Sequence, residues 1–436
     1  MSALTLTDWA DSLKEMYSER ESKPLSFKKN VVLGTLPKER KNGGGEHFKQ
    51  TIYRQAAGGS SASFVKAAAN QYGSKLSSLD ITRVPMYQLV AVAARLMLAG
   101  DKTDESVIAV SKEYDNGFTE LAHKVERRLL RSKTGRIGQV KSTTTVSTDV
   151  IILTDRADAW NFQAGDKIQF ATADGGGAVR TTGTSSGILT VESVDRSAGT
   201  VKCTGADNNA EASIAVLDYI YQDGDYDGCI AGFESWLPVD DRDTKLGASF
   251  FGLTRSADPV RLGGVYYDAS AADGDANDIL IELESRVTEE GGEPDIVYAP
   301  ISYFKDLTKV WMQARKGFEQ VRVSASDRTS DGEPLIVSRL YPGIKAMVGG
   351  SMVTIVPTRH CPSNRLYMLQ RDTWTIRHAG SGVPFFATEE LGGDMLQVQT
   401  ARSGQTDIQV EGWLMADLNL GCEAPGKNGV AKLAVG

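Results

Sequence analysis

The apolar positions along the chain predict one long amphipathic helix. Between residues 101 and 132, apolar side chains recur at spacings of three and four, the period of one helix face. The members of this stripe are Val107, Val110, Tyr114, Phe118, Leu121, Val125 and Leu129. Acidic residues open the segment and arginines close it, which suits both ends of the helix dipole. We therefore expect a spine helix about 45 Å long.

The segments before this helix hold too little apolar material to form a core of their own. Residues 1–45 are polar and irregular, apart from a short predicted helix at 4–16. Residues 46–98 predict two strands joined by a glycine-rich tip, with a short helical stretch broken at Gly73. A two-stranded ribbon is marginal alone. Two hypotheses stay open for the first segment: a disordered tail, or an arm that orders against a neighbouring subunit.

After the predicted helix, the pattern of apolar and polar residues changes at about residue 141 and again at about residue 222. Residues 141–221 are rich in Thr, Ser, Val, Ile and Gly with closely spaced turn residues, which predicts a small β-barrel or sandwich. From 222 onward the pattern is mixed α/β. It predicts helices at 276–290 and 301–316 and strands at 295–299, 345–356, 366–378 and 394–417.

Composition excludes several classes of protein. The chain has 436 residues, enough for roughly two to four domains. Its net charge of -8 does not favour tight binding of nucleic acid, which usually requires a basic excess. The beginning of the sequence lacks the pattern of a signal peptide, and no apolar run is long enough to span a membrane. The cysteines are Cys203, Cys229, Cys361 and Cys422, whose wide spacing predicts reduced, buried thiols.

Motifs of catalysis and cofactor binding are missing. The sequence contains no phosphate-loop, dinucleotide, HExxH or GxSxG pattern. His123 lies close to the apolar stripe, which favours a structural role. The neighbouring His360 and Cys361 are compatible with a thiolate pair or zinc ligands, but a zinc site needs further ligands that the sequence does not supply. We predict no catalytic residue, cofactor or metal, and no enzyme activity.

One acidic motif matches a calcium loop. Asp223, Asp225 and Asp227 alternate up to Gly228, and Glu234 follows at the spacing of an EF-hand. An EF-hand needs a helix on each side, whereas the preceding residues have strand character and a proline follows soon after Glu234. A solvated turn is therefore the favoured interpretation, and a calcium site is the alternative.

The order of these elements resembles the major capsid proteins of tailed bacteriophages, which have the Hong Kong 97-type fold. The stretches that carry the resemblance are SASFVKAAAN, ITRVPMYQLVAVAARLMLA, DKTDESVIAVSKEYDNGFTELAHKVERRLL, GFESWLPVDDRD, FFGLTRSADPVRLGG, VPTRHCPSNRLYMLQRDTWTI and LNLGCEAPGKNG. It covers nearly the whole chain and implies an α+β shell fold with an inserted, barrel-like β-domain. The implied divisions are an N-terminal arm (1–45), an extended loop (46–98), a peripheral domain (99–149), the β insertion (150–220), connecting strands (221–283), an axial domain (284–390) and a returning β segment (391–436).

The resemblance also implies a function and partners. The chain would self-assemble into hexamers and pentamers of an icosahedral head, in the virion and built in the host cytoplasm. A separate scaffolding protein, a portal and decoration proteins are implied partners, and the shell would enclose double-stranded DNA without specific binding. The candidates for contact between subunits are Arg54, Phe64, Lys66, Tyr72, Lys75 and Arg83. Two alternatives stay open: an encapsulin-like compartment of the same fold, and a calcium-dependent binding or adhesion module.

Overall fold

The computed structural model describes residues 30–40, 47–93, 104–144, 148–181, 187–204, 213–271, 275–313, 343–378, 385–386, 397–399 and 409–434. The helices within these ranges are α1 Val31–Thr35, α2 Phe64–Ala69, α3 Asp104–Leu130, α4 Phe233–Trp236, α5 Arg242–Gly247, α6 Pro259–Gly263, α7 Ala276–Glu289 and α8 Ile301–Gln313. Short 3-10 turns are Arg156–Asn161, Arg371–Thr373 and Pro425–Lys427.

The strands are β1 Lys38–Arg40, β2 His47–Gln55, β3 Lys75–Thr82, β4 Val84–Ala93, β5 Arg136–Gln139, β6 Val150–Ile152, β7 Lys167–Ala171, β8 Leu189–Asp195, β9 Thr200–Cys203, β10 Tyr219–Gln222, β11 Ser249–Phe250, β12 Leu253–Thr254, β13 Val265–Asp268, β14 Ile296–Ala299, β15 Ile344–Val348, β16 Ser351–Pro357, β17 Arg365–Leu369, β18 Trp374–His378, β19 Phe385–Phe386, β20 Gln397–Gln399, β21 Gln409–Cys422 and β22 Gly429–Lys432.

The spine helix is α3, and its C-terminal half confirms the predicted apolar face. Phe118, Leu121, Val125 and Leu129 are all buried in one large core that includes residues of β4 and β21. The other predicted stripe residues, Val107, Val110 and Tyr114, lie outside the residues whose side chains the structure describes. The helix at 4–16 also lies outside the described residues, as do all of residues 1–29.

Strand β21 organises the sheet on which the spine helix packs. It pairs antiparallel with β4 over ten residues, from Val84 opposite Leu418 to Ala93 opposite Gln409. It also pairs with β18, β19 and β20. Residues 84–93, which the predicted extended loop over 46–98 includes, belong to this body sheet, because pairing with β21 satisfies their backbone and buries Met86 and Val90.

A second sheet forms the α/β part of the molecule. Its strand order is β13-β22-β17-β14-β16-β15, with β13 and β22 parallel and β14 and β16 parallel. Helices α7 and α8 pack on it through Leu280, Leu283, Leu307 and Trp311. This sheet takes strands from 265–268 and 429–432, outside the predicted axial range of 284–390, because β22 fills the space between β13 and β17.

The β insertion is a closed barrel. Its order is β5-β10-β7-β8-β9-β6, and a bridge between Val140 and Leu153 joins the first strand back to the last. Two hydrogen bonds support the closure, Lys141 N–H to the Ile152 carbonyl at 2.8 Å and Thr154 N–H to the Gln139 carbonyl at 2.9 Å. The barrel has its own apolar core, which includes Phe162, Phe170 and Ile220. Strand β5 precedes the predicted start at 150, because a ring of strands needs it beside β10.

No described helix is both long and apolar enough to cross a membrane. The four cysteines are buried and free of disulfides, as predicted.

Candidate functional site

The first candidate site is a two-stranded ribbon formed by β2 and β3. The strands pair from His47 opposite Thr82 to Gln55 opposite Lys75. Beyond them, Gly58 and Tyr72 exchange backbone hydrogen bonds of 3.1 and 3.0 Å and keep the two chains together. At Gly59 the backbone has a φ of +134°, and a Cβ there would lie 2.7 Å from the Gln71 Cα, so glycine is needed for this approach.

The ribbon is rooted in the body of the molecule. Along β2 the burial alternates, and Phe48 and Ile52 join Leu79 and Ile81 of β3 in the large core. This alternation is the two-residue period of a strand with one buried face. The root is therefore held by ordinary core packing.

The far end of the ribbon is apolar and uncovered. Phe64 is 87% exposed and Val65 75% exposed, and helix α2 has no buried residue at all. Tyr53, Tyr72 and Leu76 add further exposed apolar area. Several large exposed apolar side chains on one projecting element favour an interaction with another molecule or chain.

The structure separates the six contact candidates into two groups. Phe64, Lys66, Tyr72 and Lys75 are exposed on the outer part of the ribbon. Arg83 instead lies at the root, where its guanidinium is 3.3 Å from the Asp417 carboxylate of β21 and sits over the Phe48 ring. This charge already has a partner within its own chain.

Arg54 also has a contact within the chain. Its carbonyl accepts a hydrogen bond from the Arg261 guanidinium. Its side chain is partly buried, and Nε has no hydrogen-bond partner in the described structure. Arg54 therefore lies between the packed root and the exposed end of the ribbon.

The calcium-like motif does not gather its carboxylates. Glu234 is 1% exposed and pairs with Arg365 Nη1 at 2.8 Å and Arg136 Nη2 at 3.0 Å. Asp225 pairs with Arg128, and Asp227 accepts a hydrogen bond from the Gly176 amide. Within the described ranges no cluster of three or more His, Cys, Asp or Glu residues is arranged to hold a metal ion.

Glu234 belongs instead to a buried charge network that joins the barrel to the α/β body. Burial alone would raise the pKa of Glu234, but Arg365 and Arg136 outweigh it and hold that pKa well below its usual range. Arg365 is fully buried and also contacts Asp240, while Arg136 lies 3.5 Å from Asp174. Nothing local in the sequence marks Arg365 or Arg136, since their partners are far away along the chain.

His360 and Cys361 are both buried. Burial raises the pKa of the Cys361 thiol to about 12, so the thiolate needed for nucleophilic or zinc chemistry is disfavoured. Burial, followed by nearby Arg359 and Arg127, lowers the pKa of His360 well below its usual value. His123 lies 2.7 Å from Asn30 Oδ1 through its Nδ1, in keeping with the structural role predicted for it.

Comparison with known proteins gives similar structures but no sequence relatives. No family model and no curated protein matches the chain. Solved structures similar to it include the capsid asymmetric unit of cyanophage A-1(L), at 11% identity and a TM-score of 0.48, with 93% of each chain covered. A structure from Mycobacterium phage Cain has 8% identity and a TM-score of 0.38, covering 99% of this chain and 98% of that one.

An encapsulin complex from Synechococcus elongatus is similar at 9% identity and a TM-score of 0.43, covering 99% of this chain and 97% of that one. The likeness to phage capsid proteins that the sequence suggested thus recurs among solved structures. Because these TM-scores lie below 0.5, the likeness does not by itself assign a function.

Proposed function

We propose that the chain is a major capsid protein that self-assembles into the closed shell of a phage head. The observation that carries this proposal is the ribbon, whose root is buried in the core while its end is apolar and uncovered. A single chain gains nothing from exposing Phe64, Val65 and Tyr72. An identical neighbour that covers them turns this surface into a contact repeated around a symmetric assembly.

The dimensions of the ribbon suit a contact between subunits. Eight to nine paired residues per strand span roughly 30 Å, before the end segment is added. A reach of this length allows the end to lie over an adjacent copy. We propose hexamers and pentamers in an icosahedral lattice, with a scaffolding protein, a portal and decoration proteins as partners, assembled in the host cytoplasm.

The test is to shorten the ribbon without disturbing its root. Replacing residues 56–74 by Asn-Gly joins Gln55 to Lys75, which are paired in the structure, through a tight hairpin turn. The shortened chain should keep its circular dichroism spectrum and melting temperature. Electron microscopy should show unassembled subunits where the parent chain gives shells. Normal shells from the shortened chain would contradict the proposal.

A milder variant removes only the apolar surface. Phe64→Ser combined with Val65→Ser should leave the fold intact, because surface substitutions usually change stability by less than about 0.5 kcal/mol. Val216→Ser is the matched control, since Val216 is an exposed apolar residue on the barrel. Shells should be lost or reduced in the double variant and retained in the control. Equal assembly of both variants would assign the ribbon end no role.

A further inference from the structure

A narrow recess lies where the spine helix α3, the barrel and the turn after β16 meet. It encloses about 490 Å³, including its open side. Helix α3 contributes Lys124 and Arg127, the barrel contributes Trp160 and Arg196, and the turn contributes Arg359 and His360. Neither the sequence patterns nor the proposed shell role accounts for this concentration of basic side chains.

The inner wall of the recess holds buried donors that are incompletely paired. Arg127 donates from Nη1 to the Asn161 carbonyl at 2.7 Å and from Nη2 to Gln222 Oε1 at 3.1 Å, but its buried Nε has no hydrogen-bond partner among the described residues. Neither of these acceptors is charged. A buried cation without a carboxylate partner is costly, and a bound anion would remove that cost.

His360 supplies a second donor of this kind. Arg359 Nε lies 3.2 Å from His360 Nε2 and donates to it, so the proton of the neutral ring must lie on Nδ1. That Nδ1 is buried, and no group in the part of the chain that the structure describes forms a hydrogen bond with it. The low pKa of His360 keeps the ring neutral around pH 7, which leaves Nδ1–H as a donor rather than a further charge.

The open side of the recess carries an arginine held in place by an aromatic ring. The Arg196 guanidinium lies 5.0 Å from the centre of the Trp160 ring, and Trp160 is 48% exposed. Arg196 Nη2 also donates to the Phe162 carbonyl at 3.4 Å. A guanidinium fixed in this way retains free N–H groups and loses little entropy on binding an oxyanion.

The charges in and around the recess do not cancel. Four cations, Lys124, Arg127, Arg196 and Arg359, line it together with one carboxylate, Glu120, which lies 3.9 Å from Lys124. A second carboxylate, that of Asp166, is outside the lining and interacts electrostatically with Lys124 and Arg127. Glu126 adds little negative charge at pH 7, because burial raises its pKa to about 8. Four positive charges against two carboxylates leave a surplus of two.

We propose that this recess binds a single phosphate group, either as free phosphate or as the terminal phosphate of a nucleic-acid strand. A surplus of two positive charges matches a phosphate dianion better than a carboxylate monoanion. Arginine N–H groups and the His360 Nδ1–H supply donors for its oxygens. The recess admits one such group and is too small to accept a nucleic-acid duplex, so a single phosphate is the unit recognised.

Calorimetric titration of the full-length chain with inorganic phosphate, at pH 7.5 and constant ionic strength, tests the proposal. Saturable binding should weaken at least about tenfold in Arg196→Gln, the loss expected for one charge-assisted hydrogen bond. Arg359→Gln should weaken it similarly. Lys167→Gln removes an equal charge from an exposed position on the barrel and should bind like the parent. Arg196 and Lys167 are both exposed, so neither change endangers folding.

Two further titrations identify the source of the phosphate. A short single-stranded oligonucleotide with a 5′-phosphate is compared with the same strand lacking it. Binding only of the phosphorylated strand assigns the recess to a strand end, and binding of inorganic phosphate without either strand assigns it to the free ion. Absence of saturable binding of both inorganic phosphate and the phosphorylated strand, equal affinity for acetate, or unchanged binding in Arg196→Gln would each overturn the proposal. None of these outcomes depends on whether the chain forms shells.

Discussion

Glu234 and Arg365 are two fully enclosed charges that depend on each other. Glu234→Gln keeps the shape of the side chain but leaves Arg365, which is 0% exposed, with Asp240 as its one acidic contact among the described residues. Removing one partner of a buried pair costs about 3–5 kcal/mol. We expect a clear loss of stability in chemical denaturation. The melting temperature of Glu234→Gln should respond to added calcium no differently from that of the parent, because the Glu234 carboxylate contacts arginines and not a metal.

The control for this variant comes from the same motif. Asp223→Asn changes an exposed carboxylate and should change stability by no more than about 0.5 kcal/mol. Since the pKa of Glu234 is depressed, its contribution is complete above the ordinary pKa of 4.5 and is lost as the pH falls further. Equal stability of the two variants, or a melting temperature that rises with calcium in the parent and not in Glu234→Gln, would restore the calcium interpretation.

The contribution of Glu126 to stability changes with pH in the opposite direction to that of Glu234. Its carboxyl is buried against the amides of Val31, Val32 and Leu33 in α1, and burial, only partly offset by these amides, raises its pKa from 4.5 to about 8. The folded state therefore holds the proton more tightly than the unfolded state between these two values. The stability it contributes is complete below about pH 4.5 and falls by up to about 5 kcal/mol as the pH rises through 8.

Glu126→Gln isolates this effect. Glutamine keeps an acceptor for the α1 amides but cannot ionise, so it should melt at a higher temperature than the parent at pH 9. The difference should shrink steadily towards pH 5. Glu120→Gln, on the partly exposed face of the same helix, should show no such trend. A difference that does not vary with pH would mean that Glu126 is not protonated in the folded state.

At the scale of elements, the pattern of apolar and polar residues predicts those helices and strands that depend on neighbouring residues in the sequence. The period of three to four residues predicts α3, and alternation with a glycine-rich end predicts the β2–β3 ribbon. The local sequence pattern does not predict which strands pair when they are far apart in the chain. The ten-residue pairing of β4 with β21 joins segments more than 300 residues apart in sequence, and β22 enters the α/β sheet from the end of the chain. For the same reason the sequence did not predict the charge network of Arg365 or the basic recess, because the residues of each come from elements that are far apart in the sequence.

The barrel offers a test of element boundaries. A fragment covering residues 134–223 contains all six strands and the Val140–Leu153 closure, so we expect a dispersed NMR spectrum. The shorter fragment 150–220 lacks β5 and the end of β10, which leaves open edges and part of the core exposed. It should give a poorly dispersed spectrum. If both fragments fold equally well, ring closure contributes nothing to the stability of the barrel.

At the scale of the whole molecule, the barrel is bound to the body by arginines at and just after the end of α3, of which Arg127 and Arg131 are buried and Arg128 is half-buried. Arg131 of the segment after α3 pairs with Asp158, Arg128 pairs with Asp225, and Arg127 donates to the Asn161 carbonyl. The chain enters and leaves the barrel side by side, since Cys229 N–H donates to the Lys133 carbonyl at 3.0 Å. This geometry allows the barrel to be removed by a short splice, yet the removal takes away the partners of three cations.

We therefore predict that replacing residues 135–227 by Gly-Gly yields little soluble protein, despite leaving both sheets of the body intact. The splice uncovers the face of the body that the barrel covers, and it removes the groups that Arg127, Arg128 and Arg131 contact. A combined loss of packing and ion pairs that amounts to several kcal/mol is comparable to the whole stability of a domain. A soluble spliced chain with the melting temperature of the parent would show that the barrel is a surface decoration. Loss of soluble protein makes the barrel a clamp, whose contacts the body cannot lose.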